Sequence, residues 1–235
     1  MLRKMVLVFW MSVIAVSVFG QEHNHIIPDY TEIEKLTKDK SSAFYYDGLF
    51  KRYKANDSTL TLRDYRMLYY GHFFQADYSP FYHTEESDSI KILLGGKEEL
   101  DNEDWKEVIR LGTANVNKNP FDLKGLNVVW IAHQHMGDSA VAKIYFDKLK
   151  NLVQTILATG DGLSEQTAIH VVNVSHEYDI LNILGYEFGG AQKLTDGKCD
   201  FLSLKTNDDK IDGLYFDVKQ IFKGYEQHGI SSTAP

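Results

Sequence analysis

The histidine and carboxylate residues of this sequence do not stand at the spacings that metal or acid–base catalysis requires. His133 and His135 are two positions apart in a segment of helical periodicity, so they point about 200° apart around a helix and cannot share one metal ion. His176-Glu177 begins like the H-E-x-x-H motif of zinc hydrolases, but Ile180 takes the place of the second histidine. We interpret His176-Glu177 as the first turn of a helix, where acidic side chains are favoured by the helix dipole.

Motifs for nucleophilic, nucleotide or calcium chemistry are also missing from the sequence. There is no G-x-S-x-G nucleophile elbow and no phosphate-binding P-loop, and the loop at Gly160-Asp161-Gly162 lacks the ligand series of a calcium loop. One cysteine, Cys199, excludes an intrachain disulfide and a cysteine-based metal cluster. The sequence therefore predicts no catalytic residue, no metal site and no cofactor.

Aromatic residues are dense in one segment, where Phe44 to Tyr82 holds thirteen Phe or Tyr residues in 39 positions. Some recur at helical spacing and predict core packing (Tyr45, Tyr65, Tyr69 and Phe73). Others fall off that stripe or in an irregular stretch, and these are the candidate binding residues (Tyr70, His72, Tyr78 and Tyr82). Two interpretations stay open for the segment: a packed core, or an exposed aromatic site for a peptide or a sugar.

The composition is that of a globular protein with an acidic balance. The chain has 235 residues, 43% of them hydrophobic, and 33 Asp+Glu against 25 Lys+Arg give a formal charge of −8. An acidic chain is unsuited to non-specific nucleic-acid binding, which needs basic residues to displace counterions from phosphates.

Residues 1–20 have the layout of a secretory signal peptide. Arg3 and Lys4 precede an uncharged apolar run of about 15 residues, and Val18 and Gly20 are small enough to precede a cleavage site. An uncleaved membrane anchor is the alternative, but a spanning helix needs about 20 apolar residues. We expect an exported mature protein, residues 21–235, that is periplasmic or extracellular and does not span the membrane.

The mature chain is predicted to form one compact α+β domain with mainly α-helical hairpins. Helical periodicity runs from about residue 26 to 160, with a start at Pro28-Asp29, a capping box at Thr61 to Asp64 and a helix–turn–helix around Gly137. The region of about 161–222 is predicted to be a small β-sheet with one helix, and 223–235 a loose tail. Its predicted elements are the strands 168–174, 199–205 and 213–219 and a helix from Ser175 to Gly185.

The helix–turn–helix of residues 119–152 resembles a tetratricopeptide-type repeat. It has the repeat length of about 34 residues, a Gly137-Asp138 turn and the small residues Ala140 and Ala142. His135 and Met136 depart from the strict pattern, which has small or aliphatic residues there. The resemblance implies a helical hairpin that binds peptides or proteins, or that serves as a scaffold.

Most of the mature chain, about residues 26–222, resembles a family of uncharacterised exported bacterial proteins that is defined as a domain of unknown function. Six short motifs carry the resemblance: Ile27-Pro28-Asp29-Tyr30, Leu68-Tyr69-Tyr70-Gly71, Asn119-Pro120-Phe121-Asp122, Gly160-Asp161-Gly162, Ser175-His176-Glu177-Tyr178 and Gly213-Leu214-Tyr215-Phe216-Asp217. It implies an exported protein, but no activity and no functional residues.

Two functional hypotheses follow. The first is a non-enzymatic binding or scaffold module of the cell envelope whose helical hairpins hold a peptide or a partner protein. The alternative is an unrecognised hydrolase or carbohydrate-active protein with an aromatic-lined cleft, a glycan ligand and paired carboxylates such as Glu85, Glu86 or Glu165. Separately, the Asp-Ser pairs at 57–58, 88–89 and 138–139 fit either O-glycosylation or ordinary turns and helix caps.

Overall fold

The computed structural model describes the backbone of residues 25–228 and the side chains of residues 25–223. These residues form two compact units. Unit 1 combines the described residues up to Phe81 with those from Gln154 onwards, and unit 2 is Tyr82–Val153. The first helices thus belong with the C-terminal sheet, whereas the sequence grouped them with the later helices. The predicted signal peptide, residues 1–20, and residues 229–235 of the predicted tail lie outside the described residues.

Unit 1 begins with three helices: α1 (Tyr30–Lys38), α2 (Tyr46–Lys54) and α3 (Leu62–Gly71), the last followed by a 3₁₀ turn at His72–Phe74. Asp29 caps α1 by accepting hydrogen bonds from the N–H groups of Thr31 and Glu32. The capping box that the sequence predicts for α3 is confirmed, because Thr61 and Asp64 each bond the other's backbone N–H.

Unit 2 consists of successive helices, namely α4 (Glu85–Gly96), α5 (Asn102–Lys118), α6 (Leu123–His135) and α7 (Ser139–Leu157), the last of which it contains as far as Val153. The apolar faces of α4, α5 and α6 form a core of Ile90, Val108, Leu111, Val128 and Ala132. The turn between α6 and α7 contains Gly137 at a φ of +77°, a left-handed conformation that favours glycine and that the sequence predicts there.

The remainder of unit 1 holds a four-stranded mixed sheet and two helices. The elements in chain order are β1 (Ile169–His170), α8 (Val174–Ile183), β2 (Phe188–Leu194), β3 (Cys199–Leu204), β4 (Gly213–Asp217) and α9 (Lys219–His228). The sheet order is β1-β4-β3-β2, with β1 parallel to β4 and the other pairs antiparallel. The helices and the C-terminal sheet confirm the predicted α+β class.

Several element boundaries differ from the prediction. The strand expected over 168–174 is reduced to two residues, β1. Strand β2 was not expected because Gly189 and Gly190 interrupt its pattern, and both lie where its register with β3 shifts. Helix α4 begins at Glu85, inside the segment 75–87 that is predicted to be irregular. Helix α9 extends to His228, inside the predicted tail.

Candidate functional site

The aromatic-rich segment contributes several buried rings to the core of unit 1. Tyr69 and Tyr70 are fully buried and contact each other edge to face, with ring centroids 4.9 Å apart. Of the candidate binding residues, Tyr70, His72 and Tyr78 are buried, and Tyr82 is half-buried in unit 2. Their burial agrees with the core interpretation of the segment. Ligand binding by these four residues stays a prediction.

The His72 ring is held in this core in its neutral form. Its Nδ1 forms a 3.0 Å hydrogen bond with the hydroxyl of Tyr46. Burial lowers the pKa of His72 to about 4, because an imidazolium would lose its hydration there. At neutral pH His72 is therefore a hydrogen-bonding core residue without charge.

Three tyrosine hydroxyls hold the chain that follows β1. Tyr70 donates to the carbonyl of His170 (3.1 Å) and Tyr78 to the carbonyl of Val172 (2.9 Å). The N–H of Val172 in turn donates to the hydroxyl of Tyr69 (3.2 Å). Side chains thus satisfy backbone groups that a neighbouring strand would otherwise satisfy, and this explains why the predicted strand stops at His170.

The same hydroxyls fix the start of α8. Tyr69 also forms a 2.7 Å hydrogen bond with Nδ1 of His176, a buried residue of the first turn of α8. Asn173 caps the helix by accepting from the N–H of Ser175, so the helix begins at Val174, one residue before its predicted start at Ser175. Core tyrosines thereby position the first turn of α8.

The carboxyl ends of β1 and β4 bring a histidine and an aspartate together. Parallel pairing places His170 opposite Asp217, with Nε2 and Oδ2 4.0 Å apart. Tyr30 forms a 3.1 Å hydrogen bond with Nδ1 of His170, and Lys219 donates to Asp217 over 2.9 Å. Burial lowers the pKa of His170, although the negative charge of Asp217 acts to raise it. Burial also raises the pKa of Tyr30. Both changes favour neutral rings.

A buried carboxyl group lies one residue beyond His176. Glu177 is fully buried, and neither of its carboxyl oxygens has a hydrogen-bond partner among the described residues. Burial, together with the negative charge of Asp200, raises the pKa of Glu177 to about 9. At neutral pH this side chain is therefore a protonated acid, and burial without a hydrogen-bond partner is unusual for a polar group.

Glu177 belongs to a group that we call the carboxyl cluster, which consists of Glu177, Tyr178, Gln192 and Asp200. The hydroxyl of Tyr178 donates to Oε1 of Gln192 (2.6 Å), and Nε2 of Gln192 donates to Oδ2 of Asp200 (2.8 Å). Tyr178 and Asp200 are half-buried and Gln192 is exposed, so this hydrogen-bonded chain lies at the surface while Glu177 is fully enclosed. The ring of Phe188 packs edge to face on Tyr178 at 5.3 Å.

The cysteine of unit 1 is not activated as a nucleophile. Cys199 is buried opposite Asp217 in the β3–β4 pairing. Burial raises the pKa of its thiol to about 11, so the thiolate is scarce at neutral pH. The thiol of Cys199 is therefore a neutral buried group at neutral pH, and it supplies no charged nucleophile.

Unit 2 carries three pairs of half-buried or exposed rings, which we call the unit 2 ring pairs. Trp105 of α5 stacks on His135 of α6 with centroids 4.2 Å apart and planes 10° apart. The other pairs join α6 to α7 (Trp130–Phe146 at 4.9 Å and His133–Tyr145 at 5.8 Å). His135 is exposed and Trp105 packs against the unit 2 core, so one ring of this pair is anchored and the other faces solvent.

Other sequence features have ordinary structural roles. Asp57 accepts hydrogen bonds from the N–H and hydroxyl of Thr59 in a turn, and Asp138 precedes α7 and accepts from the N–H of Val141. Within residues 25–228, no three His, Cys, Asp or Glu side chains meet as a metal-binding group. Every helix in that same range is too short or too polar to cross a bilayer.

Comparison with known proteins places the chain in a family. A family model described as a domain of unknown function (DUF4919) matches residues 31–227, which is most of the chain. The chain belongs to this family. The matched range contains the carboxyl cluster, the unit 2 ring pairs and the His170–Asp217 contact. No curated protein and no solved structure matches the chain.

Sequence reasoning missed the carboxyl cluster, although one signal pointed to it. Glu177 stands three and four positions before Ile180 and Leu181, the buried residues of α8, so helical spacing places it on the buried face. No comparable signal joins His170 to Asp217, because their contact depends on the parallel pairing of two strands far apart in sequence.

Proposed function

We propose that this protein is a non-enzymatic binding module of the cell envelope that holds a peptide or a partner protein on the helices of unit 2. The observation that carries the proposal is the Trp105–His135 stack, an aromatic pair with one anchored and one exposed ring. Aromatic side chains that are already ordered lose little conformational entropy on binding, and they are enriched at protein interfaces.

The tetratricopeptide-like hairpin agrees with this role. Residues 119–152 contain α6 and most of α7, and the other two ring pairs join these helices. Export through the signal peptide of residues 1–20 would bring the mature protein to the periplasm or the exterior, where such a hairpin meets envelope proteins or peptides. Neither export nor binding by the hairpin requires a cofactor.

The binding role predicts that capture of a partner depends on the stacked pair. We expect His135→Ala to reduce recovery of a specific partner from envelope extract by about tenfold, since one interface ring is worth about 1.4 kcal/mol or more. Trp105→Phe keeps a smaller ring and should reduce recovery less. Residues 21–235 are used as bait, and bound proteins are quantified by mass spectrometry. Phe81→Ala, which removes an exposed ring of unit 1, is the matched control.

Equal recovery with all three variants would contradict the use of the ring pair. Recovery no greater than with an unrelated protein of the same net charge would contradict the binding role itself. His135 is exposed, so its replacement tests binding without loss of the fold.

A hydrolase or carbohydrate-active protein is the second candidate, and the carboxyl cluster is the observation that favours it. Glu177 and Asp200 interact electrostatically, and Tyr178, which neighbours Glu177 in the chain, packs on the ring of Phe188. Asp200 also has a raised pKa because it is partly buried. Of the acids that the sequence suggested, Glu86 is paired with Lys118 at 2.5 Å in unit 2.

The hydrolase role predicts catalytic turnover that depends on the carboxyl groups of both Glu177 and Asp200. We expect Glu177→Gln and Asp200→Asn each to lower glycan hydrolysis by about a hundredfold or more, as the loss of a general acid or base does. The assay measures reducing ends released from envelope glycans. Absence of hydrolysis by the unmodified protein, or full activity in both variants, would remove this candidate.

A further inference from the structure

Three histidines of unit 1 each share a hydrogen bond with a tyrosine from another element, and we call these the tyrosine–histidine pairs. In every pair the tyrosine hydroxyl bonds Nδ1 of the histidine (Tyr30–His170 at 3.1 Å, Tyr46–His72 at 3.0 Å and Tyr69–His176 at 2.7 Å). The first pair joins α1 to β1, the second joins α2 to the 3₁₀ turn after α3, and the third joins α3 to α8. The pairs therefore tie each of the first three helices to another element of unit 1.

The histidine rings of these pairs are enclosed by the core of unit 1. The exposed fractions of His72, His170 and His176 are 9%, 8% and 1%. In unit 2, by contrast, the histidines are exposed or half-buried (His83, His133 and His135). An imidazolium ion loses its hydration in an enclosed position, so the three buried sites favour the neutral ring.

The hydrogen bonds of the pairs need an unprotonated Nδ1. In Tyr69 the hydroxyl oxygen already receives the N–H of Val172, so its hydrogen is directed to Nδ1 of His176. In His170, Nε2 faces the carboxylate of Asp217 at 4.0 Å, which favours the ring hydrogen on Nε2 and leaves Nδ1 as the acceptor. A proton added at Nδ1 would turn this acceptor into a second donor that faces the hydroxyl. Protonation of the ring and the present hydrogen bond therefore exclude each other.

We propose that the tyrosine–histidine pairs make unit 1 an acid-sensitive switch, which releases α1, α2 and α3 from their partner elements when the histidines are protonated. Protonation of histidines at about pH 5–6 changes the conformation of other pH-sensing proteins in a comparable way. Here the open state takes up the protons, because the closed state encloses the rings and uses Nδ1 as an acceptor. The proposal concerns unit 1 and does not depend on the binding role proposed for unit 2.

The charges that face His72 and His170 do not cancel this effect. Burial lowers the pKa of His72 to about 4 from 6.5, although Asp77 acts to raise it. Burial also lowers the pKa of His170, helped by the positive charge of Lys219 and opposed by the negative charge of Asp217. The stability that the neutral rings contribute is therefore complete above pH 6.5, and it is lost as the pH falls towards 4.

The acids near the third histidine are Glu177 and Asp179 of the same helix. Burial and the charge of Asp200 raise the pKa of Glu177 to about 9, so this side chain is neutral at acidic pH and offers no negative charge to a protonated His176. Asp179 acts on the tyrosine of the pair, Tyr69. Glu177 itself favours the folded state as the pH falls, because it keeps its proton there, and every protein compared below therefore retains Glu177.

The test is hydrogen exchange of residues 21–235 at pH 6.5 and 5.0, followed by mass spectrometry and corrected for the intrinsic exchange rates. In the unmodified protein we expect the protection of α1, α2 and α3 to fall about tenfold per pH unit or more. The fall should be smaller, by about tenfold per pH unit, in each variant that replaces a histidine of the pairs (His72→Asn, His170→Asn and His176→Asn). Asparagine places an oxygen near the position of Nδ1, so it can accept from the tyrosine and does not titrate.

His83→Gln is the control, because it removes an exposed histidine of unit 2 that pairs with Asp88, and it should keep the full pH dependence of unit 1. An NMR titration of the histidine rings in the unmodified protein decides the proposal even where a variant does not fold. We expect the rings of the three pairs to stay neutral in the folded state down to about pH 5.5.

Three results would overturn the proposal. The first is a ring of the pairs that titrates in the folded protein near pH 6.5, the value of an exposed histidine. The second is equal protection of α1, α2 and α3 at pH 6.5 and 5.0 in the unmodified protein. The third is a full pH dependence in all the asparagine variants, which would assign the response to groups other than the histidines.

Discussion

Replacing Glu177 with glutamine is expected to make unit 1 more stable at pH 8, by about 2 kcal/mol relative to the change seen at pH 6.5. In the unmodified protein the folded state must keep Glu177 protonated, because its carboxyl group is buried without a hydrogen-bond partner among residues 25–223. Glutamine has nearly the same shape and no charge to suppress. The pH-dependent cost therefore disappears in the variant.

The sign of this effect follows from the two pKa values. Burial raises the pKa of Glu177 to about 9 in the folded state, from 4.5 for an exposed glutamate. Between these values the folded state holds a proton that the unfolded state has lost. The stability contributed by the neutral acid is complete below pH 4.5 and is lost as the pH rises towards 9, at about 1.4 kcal/mol per pH unit.

The interval from pH 6.5 to 8 isolates Glu177 from the other shifted groups. His72 has its pKa lowered to about 4 and that of His170 is also lowered, so both change the stability mainly below pH 6.5, where an unfolded histidine becomes protonated. They contribute equally in the unmodified protein and in the variant. Burial lowers the pKa of Lys148 to about 8, and it acts mainly above that pH. Urea unfolding at pH 6.5, 7.25 and 8.0, followed by tyrosine fluorescence, measures the slope.

Glu187→Gln is the control, since the same substitution is made at an exposed position. This control should keep the slope of the unmodified protein, and the slope in Glu177→Gln should differ from it by about 1.4 kcal/mol per pH unit. Identical slopes in all three proteins would show that Glu177 is not the group that holds an additional proton in the folded state.

Replacing Tyr69 with phenylalanine is expected to lower the free energy of unfolding of unit 1 by about 2–4 kcal/mol. The hydroxyl of Tyr69 receives the N–H of Val172 and bonds His176, and all three residues are buried. Removing it deprives two enclosed polar groups of this partner at once, at about 1–3 kcal/mol each. The ring itself stays, so packing changes little.

Tyr46→Phe is the matched control, because it removes the 3.0 Å hydrogen bond to His72 in the same core. We expect it to cost about 1 kcal/mol. Hydrogen exchange gives a local reading, since the amide of Val172 should lose protection in Tyr69→Phe and keep it in Tyr46→Phe. Equal losses of stability in the two variants would contradict the double role of Tyr69.

Local signals in the sequence were enough for many elements of the fold. The Thr61–Asp64 capping box and Gly137 act within a few residues of the backbone that they shape, so the pattern alone predicts them. The strands β3 and β4 follow from short runs of leucine and aromatic residues that a polar turn separates. Family membership was likewise visible in short motifs spread over the mature chain, and the family match confirms it.

Elements whose stability comes from distant contacts were predicted poorly. The strand expected over residues 168–174 ends at His170, because the hydroxyls of Tyr69, Tyr70 and Tyr78 bond the backbone that follows. These partners are about a hundred positions away in the sequence, so no local pattern reveals them. Strand β2 is not predicted from the sequence, because Gly189 and Gly190 interrupt the strand pattern. Pairing with β3 stabilises this strand.

The α+β class, the main helices with their caps, and the family can be predicted from the amino-acid sequence. These depend on periodicity, capping and turn chemistry, which act over short distances along the chain. Tertiary structure alone decided that Glu177 is enclosed beside Asp200, that His170 meets Asp217, and that Trp105 stacks on His135. Such contacts arise from strand pairing and helix packing between distant segments, and burial then sets the charge state of each group.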